Sequence, residues 1–324
     1  MKIAIVGPGI MSIPPTGWGA VEILIWDYYN ELKNKNIDVS IINKIRKNSM
    51  EQSIISSSYC QELIQEINVN NYDVVHIHYD CLFFIAPHLN CKQVALTSHY
   101  PYIDQISKHL NDGYSKIFQF MLENVNIYIN MMLADKDLNL LKQLSKGANK
   151  IHKLENGISC NNFLFQDVPK YGNKTIYLGK ISDRKGQNKY NELKDIQIVG
   201  PGGNHLSNWI GPWSRNEVYN NLTEYGNLLL LSKGEADPLV VKEALICGLG
   251  VVLNETSSKN LENKEFITII PDEYMEDLEY IQNAIEKNRI QSLKSRIKIR
   301  EYAIERFGWN NLIQNYIKTI DSYL

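Results

Sequence analysis

Short apolar runs rich in β-branched residues alternate with longer amphipathic stretches along this chain, and that alternation limits the fold more than any other feature. Residues 2–6 form one such run and lead into Gly-Pro-Gly, which is typical of a buried strand that meets a tight turn. In residues 21–32 the apolar side chains recur at helical spacing. Strands that alternate with helices predict an α/β fold with a parallel, doubly wound sheet and right-handed crossovers.

A series of predicted strands that alternate with helices occurs in each half of the chain. The 324 residues are about twice a common domain size. We therefore predict two Rossmann-like domains, at residues 1–160 and 161–307, followed by a helix at residues 308–324. A polar stretch that begins at Glu155-Asn156-Gly157 and runs to Asn173 is the predicted linker. The predicted strands are residues 2–6, 38–42, 73–78, 94–99 and 127–133 in the first half, and residues 175–178, 196–199, 228–231, 251–253 and 266–270 in the second.

The charge and cysteine content exclude several classes of protein. Net charge is −2, with 34 basic and 36 acidic side chains. The chain therefore lacks the excess of positive charge that nucleic-acid-binding proteins usually have. The five cysteines are scattered and lack C-x-x-C spacing, so neither a disulfide framework nor a zinc site is indicated. No apolar run approaches the roughly 20 residues that a membrane span needs. We expect a cytoplasmic protein, and association with the inner face of a membrane stays open at this point.

The most informative segment is residues 228–252, where a buried strand runs into Ser-Lys-Gly-Glu and Asp237-Pro238 opens a helix. Pro238 suits the first turn of a helix, where its missing N–H is no loss. Glu235 precedes this helix and Glu243 lies inside it. A carboxylate can accept hydrogen bonds from both ribose hydroxyls, and the free N–H groups of a helix start favour an anion. A solvated loop glutamate and a solvated helix glutamate are the alternative interpretation.

Two further loops carry residues that suit a phosphate ligand. Lys180 follows a predicted strand and Lys185 comes five residues later, so the two ammonium groups can clamp a diphosphate. Near the amino terminus, Gly17 and Gly19 flank Trp18 just before a helix, and backbone amides can approach a ligand closely there. The alternative interpretations are that the two lysines are only solvent-exposed surface residues, and that the glycine loop only turns the chain.

Four other patterns have simpler explanations. Gly-Pro-Gly at the first strand lacks the third glycine of a dinucleotide-binding fingerprint, because position 12 is serine. The acids of Asp135-Lys136-Asp137 fit the first turn of a helix. His76 and His78 alternate on a strand without an evident third metal ligand, so we predict no metal site. The basic run at residues 287–300 is interpreted as a solvated helix face rather than a membrane patch.

Together these segments resemble the retaining glycosyltransferases of GT-B fold, and among them family 4. The resemblance runs along nearly the whole chain, and its most specific part is the glutamate pair with the following Glu-Ala-Leu-x-Cys-Gly. Its other parts are Pro-Pro-x-Gly-Trp-Gly-Ala-Val-Glu, Asp-Val-Val-His-x-His, Thr97 with His99, Glu-Asn-Gly at 155–157, Gly-Lys with Lys-Gly at 179–186, and the closing Phe-x-Trp.

The resemblance implies a metal-independent enzyme without a cofactor, which moves a hexose-type sugar from a nucleotide diphosphate sugar to a hydroxyl acceptor. It implies two domains that face each other across a cleft, with the terminal helix returning to the first domain. By this resemblance, His99 and Glu235 would act at the donor sugar. The donor-binding residues would be Gly17, Gly19, Lys180, Lys185, Pro238, Leu239 and Glu243, with Trp18 and Glu22 near the loop or acceptor.

The chain departs from the family's usual pattern at three places. Lys180 stands where the family usually has Arg, which replaces a bidentate fork by a point charge. Asp237-Pro238 stands where Phe-Gly is usual, and residues 186–196 leave room only for a short helix. Two alternatives therefore stay open, a sugar-nucleotide epimerase of the same architecture and a catalytically weak paralogue that binds nucleotide sugars.

Overall fold

The chain folds into two compact units. The computed structural model describes residues 1–46 and 55–324. One unit comprises residues 1–15, 19–157 and 309–324, and the other comprises residues 16–18 and 158–308. The main segment of the second unit thus begins at Ile158. The predicted linker is shorter than expected, because Gly172 and Asn173 lie inside a strand.

A six-stranded parallel sheet forms the centre of the first unit, in the order β2-β1-β3-β4-β5-β6. Its strands are β1 (Lys2–Val6), β2 (Asp38–Ile42), β3 (Val74–Ile77), β4 (Gln93–Thr97), β5 (Ile129–Met132) and β6 (Ile151–Lys153). Five of them were predicted to within three residues. The sixth, β6, is only three residues long and too short to show a period of its own. The helices are Ala20–Asn34, Ser57–Asn68, Ile106–Asn111, Ser115–Glu123, Asp135–Leu144 and Trp309–Asp321.

The second unit contains a five-stranded parallel sheet in the order β11-β10-β9-β7-β8. Its strands are β7 (Tyr171–Leu178), β8 (Ile196–Val199), β9 (Tyr225–Leu230), β10 (Gly250–Asn254) and β11 (Ile267–Ile270). Strands β9 and β10 are buried along their whole length, as expected for a parallel sheet covered on both faces. The helices are Gln187–Tyr190, Arg215–Asn221, Leu239–Ile246, Leu278–Lys294 and Arg296–Phe307, and the first of these is the short helix predicted there.

Both sheets follow the same strand order. Counted within each unit, the order is 2-1-3-4-5, with a sixth strand added in the first unit. The strand order reverses between β1 and β3 in the first unit and between β7 and β9 in the second. Ligands of open α/β sheets bind at such a reversal, beyond the carboxyl ends of the strands. The predicted α/β architecture of two doubly wound, Rossmann-like domains is confirmed.

The terminal helix Trp309–Asp321 belongs to the first unit, as predicted. The ring of Trp309 packs edge-on against Tyr28, with 4.6 Å between ring centroids. The hydroxyl of Tyr316 lies 2.9 Å from Nδ1 of His76 on β3. Aromatic packing and buried polar contacts therefore hold the carboxyl-terminal helix on the unit formed by the amino-terminal half. Within the described residues, no helix has the length and apolarity required to cross a membrane.

The basic run at residues 287–300 spans two helices that meet at Ser295, and one of its cations is buried. Arg296 is 1% exposed, so the prediction of a solvated face is wrong for this residue. Its guanidinium donates to the carbonyl oxygens of Gln166, Thr223, Tyr225 and Cys247 at 2.6–3.1 Å. Burial lowers the pKa of Arg296 to about 10. One side chain thereby joins its own helix to three separate stretches of the second unit.

We expect Arg296→Met to lower the free energy of unfolding by about 3 kcal/mol, because four buried carbonyl oxygens lose their donor. Urea unfolding followed by circular dichroism measures this change. Arg300→Met is the matched control, since Arg300 is half-buried and donates to the single carbonyl oxygen of Ile246. Equal losses for the two variants would contradict the role assigned to Arg296.

Candidate functional site

The loops that follow β7 and β9 lie side by side, because these two strands pair directly at the reversal of the sheet. The N–H of Lys233 donates to the carbonyl oxygen of Arg184 at 2.9 Å and links the loops. The buried hydroxyl of Tyr177 lies within hydrogen-bond distance of the carbonyl oxygens of Lys185 and Leu231, one from each loop. The predicted lysine loop and the predicted glutamate loop therefore form one surface.

Two cations from the first loop meet one carboxylate from the second. Nζ of Lys185 lies 3.3 Å from Oε1 of Glu235, and a guanidinium nitrogen of Arg184 lies 3.1 Å from the same oxygen. Gly179 ends the strand with φ +156°, and a Cβ there would lie 3.3 Å from Nζ of Lys185. The absence of a side chain at this position lets Lys185 fold back over the strand end.

Glu235 stays ionised although it is 7% exposed. Burial works against the charge, but the cations of Lys185 and Arg184 outweigh it and hold the pKa of Glu235 below its usual value. The carboxylate is therefore negatively charged at neutral pH and lies between two cations.

The helix Leu239–Ile246 begins beside this carboxylate, as the sequence predicted. Pro238 occupies its N-cap position, and among the described residues no side chain caps the helix start. Asp237, just before it, pairs with Lys242 on the helix at 2.7 Å, and both side chains are almost fully buried. Asp237-Pro238 stands where Phe-Gly was expected, and Asp237 takes part in this salt bridge. Leu239, the first helical residue, is buried.

Glu243 lies one turn into the helix and has a partner that the sequence analysis missed. Its Oε1 accepts from Arg215 at 2.5 Å, and both side chains are largely buried. Burial works against the charged guanidinium, yet the Glu243 carboxylate keeps the pKa of Arg215 above its usual value. Arg215 begins the helix Arg215–Asn221, which a Ser214–Glu217 capping box starts. The Ser-x-x-Glu spacing of that capping box, at residues 214–217, is the sequence signal that could have located this helix and with it Arg215.

Residues 16–18 of the predicted glycine loop belong to the second unit. The carbonyl oxygen of Thr16 accepts from the N–H of Arg215 at 3.1 Å. Nζ of Lys180 lies 5.0 Å above the ring of Trp18, a cation–π contact. A Cβ at Gly17 would have its nearest neighbour, the carbonyl oxygen of Trp213, at 4.0 Å, so this glycine stands in open space. The structure therefore brings Lys185 to Glu235, and Lys180 to Trp18.

Gly19 and Glu22 lie in the first unit, at the start of the helix Ala20–Asn34. Gly19 has φ +131°, and a Cβ there would come within 2.9 Å of Oε2 of Glu22, so the turn requires glycine. Glu22 is 3% exposed, and burial raises its pKa although backbone hydrogen bonds oppose the shift. Both residues stand at the amino end of the helix that follows β1.

His99 belongs to a cluster of three neutral imidazoles in the first unit. His76 and His78 have ring centroids 4.0 Å apart, and His78 lies 5.8 Å from His99. Nε2 of His76 lies 2.7 Å from the hydroxyl of Thr97. Burial lowers the pKa of His99 to about 4, and burial together with the electrostatic influence of nearby His99 lowers the pKa of His76 to about 3.

The structure gives no support to a metal at this cluster. In residues 1–46 and 55–324, no group of three His, Cys, Asp or Glu side chains is arranged to hold a metal ion. The acids at 135 and 137 lie in the first turn of the helix Asp135–Leu144, as predicted.

Comparison with known proteins identifies the fold. No family model and no curated protein match this chain. A sucrose-phosphate synthase from Thermosynechococcus elongatus is similar in structure, with a TM-score of 0.75, 14% identity, and coverage of 99% of this chain and 98% of that chain. HepE from Anabaena, solved with UDP-glucose, has a TM-score of 0.71, 13% identity, and coverage of 99% and 100%. AviGT4, a glycosyltransferase involved in avilamycin A biosynthesis, has a TM-score of 0.69, 13% identity, and coverage of 100% and 98%. At these identities the likeness shows the fold, which is GT-B as predicted.

We expect the Asp237–Lys242 pair to be strongly coupled, because replacing either residue takes a buried charge away from its salt-bridge partner. Asp237→Asn and Lys242→Met should each lower the free energy of unfolding by about 3–5 kcal/mol. The loss of stability in the double variant should be smaller than the two single losses added together, by at least about 2 kcal/mol.

Urea unfolding of the four proteins completes this double-mutant cycle. The exposed pair Lys298–Glu265 provides a reference cycle, in which solvent screening should leave a much weaker coupling. Additive losses at Asp237 and Lys242 would show that the pair is not a unit.

The histidine cluster should make the protein less stable at mildly acidic pH. In the unfolded chain His76 takes up a proton near its ordinary pKa of 6.5, whereas in the folded protein its pKa is about 3. The unfolded state therefore binds more protons below pH 6.5, and stability falls there by up to ~1.4 kcal/mol per pH unit for this group.

Urea unfolding of the protein and of His76→Gln between pH 7.5 and 5 tests this expectation, with the exposed His205→Gln as control. The stability of His76→Gln should fall less steeply with decreasing pH than that of the other two proteins. Parallel pH profiles for all three would show that His76 does not contribute.

Proposed function

We propose that this chain is a glycosyltransferase that moves a hexose-type sugar from a nucleotide diphosphate sugar to a hydroxyl of a glycan, lipid or small-molecule acceptor. One observation carries the proposal. At the reversal of the second sheet, Arg184 and Lys185 converge on Glu235 beside the uncapped start of the helix Leu239–Ile246. Cations and free helix N–H groups at such a place suit a diphosphate. The complexes of HepE with UDP-glucose support a nucleotide sugar as donor.

The cations have a direct chemical task in sugar transfer. As the bond between the sugar and the diphosphate breaks, positive charge grows on the sugar ring and negative charge on the leaving phosphate. Lys185, 12% exposed at its side chain, offers a charge-assisted donor to that phosphate from a partly desolvated position. We propose that this stabilisation requires no metal ion and no cofactor.

The two glutamates take different parts of the donor in this proposal. Glu235 is ionised and accepts hydrogen bonds from sugar hydroxyls. Arg215 occupies Oε1 of Glu243 and thereby orients the carboxylate, which leaves Oε2 to accept from a ribose hydroxyl. The role of His99 at the donor sugar, which the family resemblance implies, stays a prediction, as do the donor contacts of Gly17, Gly19, Pro238 and Leu239 and the roles of Trp18 and Glu22.

We propose that transfer retains the configuration of the donor sugar. In front-face attack, the leaving phosphate itself accepts the proton of the acceptor hydroxyl, and no carboxylate acts as nucleophile. Both carboxylates of the site suit this scheme, because each is held by a cation and aligned as an acceptor rather than left free to attack. We also propose that the enzyme works in the cytoplasm, where such donors are made available to it.

Donor binding tests the proposal. UDP-, GDP-, ADP- and dTDP-sugars are screened for thermal stabilisation, and the affinity of the best donor is measured by calorimetry. Lys185→Ala and Glu243→Ala should each weaken that affinity about 10- to 100-fold, because each removes a charged hydrogen-bond partner. The exposed Lys298→Ala is the control and should bind as the unaltered protein does. Unchanged affinity in both site variants would place the donor elsewhere.

The reaction itself is followed by NMR with the donor identified in that screen. We expect the product glycoside to keep the anomeric configuration of the donor sugar. The rate of its formation should be the same before and after treatment of the enzyme with EDTA. Inversion of that configuration, or loss of activity with EDTA, would overturn the retaining or metal-independent part. An epimer formed from the donor alone would identify an epimerase instead.

A further inference from the structure

The carboxylate of Glu235 is shared by two cations, and the cation that completes the pair is not the expected one. The sequence predicted that Lys180 and Lys185 together clamp a diphosphate. Lys185 is at the site, but Nζ of Lys180 lies over the ring of Trp18. The second cation within 4 Å of the Glu235 carboxylate is Arg184, at 3.1 Å.

The charges at this point do not cancel. Arg184 and Lys185 bring two positive charges to one carboxylate, so the cluster carries one positive charge in excess. A third cation, Lys259, donates to the backbone carbonyl oxygen of Glu235 and adds to the positive potential there. A site with such an excess favours an anion of more than one charge, and a diphosphate group fits that requirement better than a monoester does.

Arg184 is the more accessible of the two cations. Its side chain is 36% exposed, against 12% for Lys185, so an incoming ligand can reach the guanidinium. The backbone of Arg184 is anchored meanwhile, because its carbonyl oxygen accepts from Lys233 at 2.9 Å. The guanidinium also donates to the carbonyl oxygen of Gly234, which holds it against the loop that carries Glu235.

A guanidinium has five N–H donors in a planar fork, and one nitrogen, NH1, makes both contacts found here. The fork therefore has donors left over for two phosphate oxygens while it stays beside Glu235. Lys180 is a point charge and cannot provide this bidentate geometry.

We propose that Arg184 is a second diphosphate-binding residue, which with Lys185 selects donors that carry a diphosphate and takes over the bidentate contact that Lys180 cannot make. This inference rests on the proposed function. In the free protein Glu235 holds the two cations in place. When the donor binds, its phosphates share Arg184 and Lys185 with Glu235, and the carboxylate becomes available to the sugar hydroxyls.

Calorimetry with a graded set of ligands tests this role. The nucleoside diphosphate that binds best among UDP, GDP, ADP and dTDP is compared with its monophosphate and its nucleoside, on the unaltered protein, Arg184→Ala, Arg184→Lys and the control Lys298→Ala. Arg184→Ala should weaken diphosphate binding at least about 10-fold, since it removes a charged hydrogen-bond donor. Its affinity for the nucleoside should stay within about twofold, and Arg184→Lys should recover part of the loss.

Comparing the diphosphate, the monophosphate and the nucleoside distinguishes a direct contact between Arg184 and phosphate from a purely structural role of Arg184. If Arg184→Ala binds the diphosphate as the unaltered protein does, or loses nucleoside and diphosphate affinity equally, the inference is wrong. Arg184→Lys keeps a cation near Glu235 and serves as the test variant if the alanine variant unfolds. If none of the four diphosphates binds to the unaltered protein, the proposed function itself fails, which is a distinct result.

Discussion

Direct pairing of β7 with β9 is the constraint on which the candidate site depends. Because the strand order of the second sheet reverses there, the loops that follow the two strands emerge side by side although some 50 residues separate them in the chain. The hydroxyl of Tyr177 and the N–H of Lys233 then join the loops. Every charged contact between Arg184, Lys185 and Glu235 follows from this adjacency.

The charges of the site are held in pairs that join different segments. Glu235 meets Lys185 and Arg184, Glu243 meets Arg215, and Asp237 meets Lys242 on its own helix. Buried ions are costly to desolvate, and each of these groups offsets that cost through a partner at 2.5–3.3 Å. The arrangement sets the orientation of the carboxylates before a ligand arrives, and any anion that binds must share cations that are already engaged.

Part of this site could be predicted, for reasons that differ between residues. Lys185 and Glu235 could be placed together because each follows a recognisable strand, and strands of a doubly wound sheet end at one edge. Arg184 is adjacent in the sequence to the predicted residue Lys185, but no motif indicated a role for Arg184 itself. Arg215 lies 28 residues before its partner Glu243, on a helix too short to show a period. The likeness to solved GT-B structures adds the fold and leaves the residue roles to experiment.

The sequence by itself determined ten of the eleven described strands, several helices and the doubly wound class, because apolar periodicity and turn residues act over a few neighbouring positions. The helix start at Pro238 and the glycine at position 19 are decided just as locally. Tertiary structure alone decided that Lys180 contacts Trp18, that residues 16–18 belong to the second unit, and that Arg296 is buried among four carbonyl oxygens. The physical reason is that a charge takes the partner nearest in space, and nearness between distant segments is set by how strands pair and helices pack, which no local pattern encodes.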